Sequence, residues 1–217
     1  MVPFFDMSEP TDIHLTEDGL EASGKGRVLI LACGALAREI LAVMRANQLD
    51  HIDLQCLPAI FHNHPEKIVP GVRKVVAEVE GKYDKIFLGF ADCGTGGELQ
   101  RVANELGLEM FEGPHCFAFF QGTEDFVANS GDEFTAFYLT DFLVRQFDAF
   151  IWKPLGLAKH PQLRDMYFGN YEKLVYQAQI EDPALKAKAE ECAEKLGLAF
   201  EYRFTGYGDL QRGIETL

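Results

Sequence analysis

Long apolar runs are missing from this sequence of 217 residues. No stretch approaches the roughly 20 apolar residues that a membrane-spanning helix needs, so we expect no contact with a membrane. The first 26 residues also lack a basic region followed by an apolar core, which is the pattern of a secretory signal peptide. These absences together predict a cytoplasmic protein.

Positive charge is scarce as well. The chain has 20 Lys and Arg against 34 Asp and Glu, a formal net charge of −14. Binding to a nucleic-acid backbone draws on clustered Lys and Arg, so we expect no nucleic-acid partner. Six acidic residues and one lysine precede Arg27 without any hydrophobic period. We therefore predict a flexible acidic N-terminal arm over residues 1–26 and a single domain over residues 27–217.

Apolar residues make up 47% of the chain, enough for a substantial core. The run Val28 to Ala32 is typical of a central parallel strand buried on both faces. Helical and strand patterns then alternate up to about residue 120. Connections of this length force parallel pairing, so we predict a doubly wound, mostly parallel, flavodoxin-like α/β sheet. If the strand order is 2-1-3-4, as in flavodoxin-like sheets, a crevice opens between strands 1 and 3. The strand, helix and strand that end the chain are expected to extend the same sheet.

An aromatic-rich helical insertion is predicted over residues 123–169. Its aromatic side chains exceed what one buried stripe of a helix can accommodate. Besides core packing, they suggest a subunit interface or a surface for a flat hydrophobic cofactor. The residues concerned are Phe134, Phe137, Tyr138, Phe142, Phe147, Phe150 and Trp152.

Five cysteines, an odd number in a chain expected to be cytoplasmic, argue against a disulfide framework. Cys192 recurs with apolar residues at helical spacing and Cys56 lies inside the second predicted strand, so both are assigned to the core. The other three cysteines close the first, third and fourth predicted strands. Parallel strands end at one edge of the sheet, so these thiols are expected to converge there with nearby imidazoles.

Three thiolates and an imidazole suit Zn²⁺, and an iron-sulfur cluster is the alternative. Neighbouring strand ends, about 4.8 Å apart, are close enough to share one ion. Small buried cysteines and histidines in polar turns are the competing interpretation. The candidate ligands are Cys33, Cys93, Cys116, His62, His64 and His115.

The glycine-rich stretch "DCGTGGEL" offers a second type of site. Backbone N–H groups of Gly94, Thr95, Gly96 and Gly97 could hold a phosphate at the start of the following helix. The loop has no lysine and matches neither GxGxxG nor the Walker spacing. Asp92 is the candidate catalytic residue as a general base, with second-shell support of a metal ligand or helix capping as its other roles.

Several motifs together resemble the bacterial and archaeal domain-of-unknown-function family 1638. They are "LACGALAREI", "FHNHPE", "FADCGTGGEL", "GPHCF", "HPQLRDMYFGNYEKLVY" and "TGYGDL". The resemblance covers nearly everything from about Arg27 onward. It implies an association with corrinoid-dependent methyltransferases and their reactivation proteins, and with cobalamin-dependent methionine synthesis. It assigns no reaction and no catalytic residue.

The leading hypothesis joins these observations. It is a cytoplasmic zinc-thiolate protein acting in corrinoid-dependent methyl transfer, where a metal activates a small thiol substrate. The first alternative is a non-enzymatic partner that docks on or loads a corrinoid protein or methyltransferase subunit through the aromatic helices. The second is an enzyme acting on a phosphate-bearing ligand.

Overall fold

The computed structural model describes residues 10–128 and 134–217. Its strands are β1 (Val28–Cys33), β2 (Ile52–Leu57), β3 (Lys85–Gly89), β4 (Glu109–Met110), β5 (Ala136–Thr140), β6 (Lys173–Ala178) and β7 (Ala199–Phe204). Its α-helices are α1 (Asp12–Glu17), α2 (Ala37–Ala46), α3 (Ile68–Glu78), α4 (Glu98–Leu106), α5 (Ala118–Gln121), α6 (Thr123–Ala128), α7 (Asp141–Arg145), α8 (Arg164–Phe168), α9 (Pro183–Leu196) and α10 (Gly208–Ile214). None of the helices within the described residues has the length and hydropathy required to span a bilayer.

The first sheet has parallel pairing throughout, as predicted, and its strand order is β2-β1-β3-β4. Alternate residues of β1 pack on opposite faces of the sheet. Ile30 and Ala32 belong to the cluster that contains α2 and the second half of the chain, whereas Leu29 and Leu31 pack with α3 and α4. Burial on both faces explains why β1 is apolar without alternation, and the doubly wound α/β class is confirmed.

The last strands do not extend this sheet, so that prediction is wrong. They form a second parallel sheet of order β5-β6-β7. The first sheet offers little edge for extension, because β4 pairs with β3 through Glu109 and Met110 alone. Within the aromatic stretch, β5 pairs with β6 on the edge opposite β7 and so completes the second sheet.

The predicted helical insertion over residues 123–169 therefore contains a strand as well as helices α6 to α8 and a π-helical segment, Asp148–Trp152. Residues 129–133 of this stretch lie outside the described residues. Three of its aromatic side chains, Phe142, Phe147 and Phe150, are buried in the core that joins the two sheets, whereas Phe134 is exposed. Core packing thus accounts for much of the aromatic content.

The predicted N-terminal arm lies outside the described residues up to residue 9. Its described part contains α1, whose Leu15 is fully buried in the core between the sheets. Asp12 forms ion pairs with Arg38 and Arg145, both at 3.1 Å, and these residues belong to α2 and α7. From residue 10 onward this segment packs against the domain.

Candidate functional site

Two neighbouring loops bring a pair of cysteines together at the carboxyl edge of the first sheet. The loop after β3 and the loop after β4 run side by side, held by backbone hydrogen bonds of 3.2 Å. Asp92 N–H donates to the carbonyl of Gly113, and Cys93 N–H donates to the carbonyl of Pro114. As a result, the Sγ atoms of Cys93 and Cys116 lie 2.9 Å apart as free thiols.

The predicted placement of these thiols is correct for Cys33, which is the last residue of β1. It is wrong in detail for the other two, because β3 ends at Gly89 and β4 at Met110. Beyond these strand ends the chain continues in loops, and Gly113, with φ of 142°, and Pro114, which has no N–H, keep the segment after β4 out of the sheet. The thiols converge through these loops rather than through the strand ends themselves.

The backbone at Cys93 is unusual. Its φ of 48° lies in the left-handed region, which costs a residue with a Cβ about 1–2 kcal/mol. Such conformations persist where the surrounding structure enforces them, and they cluster at functional sites. Here the backbone hydrogen bond to Pro114 and the turn formed by the following glycines hold Cys93 in place.

The cysteine pair lines a pocket with about 700 Å³ of space not filled by protein atoms, part of it open to solvent. Cys33, His62 and His115 line the same pocket, and the remaining wall is mostly apolar and aromatic. Five of the six candidate ligands are therefore brought together. The exception is His64, whose half-exposed imidazole lies 3.5 Å from the carboxylate of Glu66.

The three thiols differ in acidity. The hydrogen bond from Cys116 lowers the pKa of the Cys93 thiol, and the same bond together with burial raises the pKa of Cys116 well above its usual value. Burial raises the pKa of Cys33 to about 12. Cys93 is thus the thiol most ready to lose its proton, and Cys116 is placed to donate to the resulting thiolate.

The pKa values of both pocket histidines are lowered. Burial lowers the pKa of His62, with the nearby His115 as a second cause, and burial also lowers the pKa of His115 against the opposing effect of Asp92. A lowered pKa favours the neutral imidazole, which is the form that binds metal ions. The His115 ring stacks on Phe117 with centroids 4.9 Å apart.

The glycine-rich loop is already occupied by a side chain of its own. The Asp92 carboxylate accepts hydrogen bonds from Gly97 N–H at 2.5 Å, Gly96 N–H at 3.2 Å and the Thr95 hydroxyl at 3.0 Å. Gly94, Gly96 and Gly97 have positive φ, which makes this turn accessible. A phosphate would have to displace Asp92, so this geometry favours a role of Asp92 in holding the loop before α4 over an anion site. Asp92 does not cap α4 itself, because the Leu99 N–H of the first helical turn donates to the Thr95 hydroxyl instead.

The acidity of Asp92 agrees with its role in holding the loop. Burial alone would raise its pKa, but the hydrogen bonds from Gly97 and Thr95 outweigh burial and lower it. A carboxylate stabilised in this way is a weak base. Its electrostatic effect on His115 shows that it is nevertheless close to the pocket.

The donor atoms do not form a ready-made metal site. Among the residues described, no group of three or more His, Cys, Asp and Glu side chains is arranged around a common point for an ion. Two thiolates on one tetrahedral zinc lie about 3.8 Å apart, since each bond is about 2.3 Å long. The pair at 2.9 Å would separate by about 0.9 Å to bind one zinc ion. The donor chemistry fits zinc, and the ligand geometry requires this adjustment.

Sequence reasoning missed the contribution of the second sheet to this pocket. Thr140, the last residue of β5, and Leu143 of α7 complete its wall. The stretch "AFYLTD" carries the signal of a strand followed by a helix cap, since the Thr140 hydroxyl accepts from Leu143 N–H. No local pattern shows that this strand faces the first sheet.

Comparison with known proteins adds a family. A family model described as "Protein of unknown function (DUF1638)" matches residues 56–214, which include Cys93, Cys116 and both pocket histidines but not Cys33. No curated protein and no solved structure matches the chain significantly. Since the match covers well over half of the 217 residues, the chain belongs to this family.

Proposed function

We propose that this protein binds one thiophilic metal ion, Zn²⁺ in the first place, at Cys93 and Cys116, and uses it in corrinoid-dependent methyl transfer to a small thiol. The observation that supports the proposal is the 2.9 Å approach of two thiols inside a pocket that also contains Cys33, His62 and His115. The corrinoid connection rests on the family resemblance, with methionine synthesis as the candidate process.

The residues would divide the work as follows. Cys93 and Cys116 would supply two thiolate ligands, and one of the two pocket imidazoles or Cys33 would supply a third, which leaves one position for substrate. When bound, the metal lowers the pKa of a substrate thiol and makes it nucleophilic at neutral pH. The apolar and aromatic wall would accommodate the carbon chain of the thiol.

Metal content tests whether the protein binds a metal ion at Cys93 and Cys116. The full chain is purified without an affinity tag under reducing conditions, and its metal is quantified by elemental analysis. We expect one equivalent in the wild type and in Cys192→Ala, whose cysteine is buried away from the pocket in α9. Cys93→Ser and Cys116→Ser are expected to lose it. Absence of stoichiometric metal from the wild type, after reconstitution with Zn²⁺ as well, would contradict the proposal.

Substitution of the metal with Co²⁺ tests whether a substrate thiol binds to it. Absorption bands of the cobalt protein report thiolate ligation, and a substrate thiol that enters the open position shifts them. We expect homocysteine to shift the bands and serine, which lacks the thiol, to leave them unchanged. An identical spectrum with both amino acids would exclude thiol activation at this site. A brown iron chromophore in the untreated protein would indicate the iron-sulfur alternative.

A further inference from the structure

We propose that Cys93 and Cys116 are also a reversible redox pair, which forms an intramolecular disulfide by exchange with low-molecular-weight disulfides. Disulfide formation differs from metal binding because it requires only the two sulfur atoms. The disulfide would add a covalent link between two loops that are otherwise joined by backbone hydrogen bonds.

The two sulfur atoms are already close to bonding distance. A disulfide bond is about 2.05 Å long, so the two sulfur atoms at 2.9 Å have to approach by a further 0.9 Å or so. The loops that carry the two residues are already joined by the hydrogen bond from Cys93 N–H to Pro114. Little chain entropy remains to be lost when the bond forms.

Small molecules in solution have access to the two thiols. Cys93 and Cys116 are half-buried and line a pocket that opens to solvent, so a small disulfide can reach them. Cys56 and Cys192 are buried, and neither lines this pocket. Thiol–disulfide exchange needs an approach to the sulfur as well as a thiolate. The structure thereby separates a reactive pair from inert core thiols within one chain.

The exchange takes place in two balanced steps. A thiolate of the pair attacks one sulfur of the disulfide R–S–S–R, the S–S bond breaks, and one R–S⁻ leaves and takes up a proton. The second protein thiol then loses its proton and attacks the mixed disulfide at the protein sulfur, which expels the other R–S⁻. Two electrons pass from the protein to R–S–S–R, giving one protein disulfide and two R–SH.

Cys33 gives the site an additional property. It lines the same pocket and raises the pKa of Cys116 electrostatically, so its sulfur is close to the pair. After oxidation of the pair, Cys33 is the one remaining thiol among the described residues of the pocket wall. If the proposed metal site exists, two of its thiolate ligands are consumed by the disulfide, so oxidation and metal binding exclude each other.

Counting free thiols in glutathione buffers tests the proposal. The full chain, freed of metal with a chelator, is equilibrated at increasing ratios of oxidised to reduced glutathione, then denatured, alkylated and weighed by mass spectrometry. We expect the number of alkylated cysteines to fall from five to three in one transition that dithiothreitol reverses. Peptide mapping should place the crosslink between Cys93 and Cys116.

Cysteine variants test which two residues form the crosslink. Cys192→Ala should fall from four alkylated cysteines to two, whereas Cys93→Ser and Cys116→Ser should form no intramolecular crosslink. Five alkylated cysteines at every ratio in the wild type, a stable glutathione adduct without crosslink, or a crosslink between other cysteines would each overturn the proposal. Circular dichroism of each variant confirms that it is folded.

Repeating the titration with Zn²⁺ separates this proposal from the proposed function. If both hold, Zn²⁺ shifts the transition to a higher oxidised-to-reduced ratio, by at least tenfold. A transition that Zn²⁺ does not shift supports the redox pair and contradicts the metal site. Stoichiometric Zn²⁺ binding without a disulfide in the metal-free protein supports the metal site and overturns the redox pair.

Discussion

The side-chain amide of Asn63 donates a hydrogen bond of 2.9 Å to the backbone carbonyl of Phe150. This contact joins the loop after β2 to the π-helical segment of the second half of the chain. His62, the neighbour of Asn63, packs edge-on against the Phe150 ring with centroids 6.1 Å apart. A single amide therefore positions the loop that carries one pocket imidazole.

Asn63→Ala should destabilise the protein by about 1 kcal/mol, because the Phe150 carbonyl loses its side-chain donor. Urea unfolding at pH 7 measures the change. His64→Ala is the matched control, since its imidazole is half exposed on the same loop and is expected to alter stability by less than about 0.5 kcal/mol. Equal effects of the two substitutions would contradict the role given to Asn63.

The loop-holding role of Asp92 predicts a graded response. Asp92→Ala removes the acceptor for Gly96 and Gly97 N–H in the loop before α4, so we expect a loss of about 1–2 kcal/mol. Asp92→Asn keeps one acceptor oxygen and should lose less. The pKa of Asp92 is lowered in the folded protein, so its contribution is present above the unfolded pKa and is lost as pH falls through the folded one.

The stability difference between wild type and Asp92→Asn should therefore shrink when unfolding is measured below about pH 4 instead of at pH 7. A difference that stays constant with pH would show that the charge of Asp92 does not stabilise the loop. The assignment of Asp92 as a general base makes a separate prediction. It requires that Asp92→Asn lose turnover while the loop remains folded.

The buried carboxyl of Glu39 should give the stability of the protein a pH dependence of the opposite sign to that of Asp92. Burial raises its pKa to about 7, against the opposing effect of Arg145, and its Oε2 has no hydrogen-bond partner. A group whose folded pKa exceeds its unfolded pKa stabilises the protein below the unfolded value, and this stabilisation is lost as pH rises through the folded value. The shift from 4.5 to about 7 corresponds to roughly 3 kcal/mol at most.

Glu39→Gln should consequently become more stable relative to the wild type between pH 4.5 and 8, by up to roughly 3 kcal/mol. Urea titrations of both proteins at pH 5 and pH 8 give the two differences. Their comparison cancels the contributions of all other titrating groups. Equal differences at the two pH values would mean that Glu39 titrates at its ordinary pKa.

The packing of α1 predicts that the N-terminal segment stabilises the domain. Leu15→Ala should cost about 2–5 kcal/mol, because Leu15 is fully buried in the core between the sheets. Ile13→Ala on the same helix changes a side chain that is 67% exposed and should have little effect. If both variants unfold at the wild-type denaturant concentration, α1 does not contribute to the core.

Much of the first sheet could be predicted because its signals are local. β1 follows from an uninterrupted apolar run, and the amphipathic pattern of α2 follows directly after it. The separate second sheet could not be predicted, because β5 is a short aromatic strand inside a helical pattern. Whether such a strand joins one sheet or another depends on contacts between residues distant in the chain.

The candidate site divides in the same way. Sequence alone determined that thiols and imidazoles follow parallel strands, since residue order and strand direction bring these chain segments to one edge. Only the tertiary structure decided which of them meet, and it did so through backbone geometry that local patterns do not encode. The left-handed turn at Cys93 and its hydrogen bond to Pro114 place one sulfur beside that of Cys116. His64, two residues from His62, was turned away toward Glu66 instead.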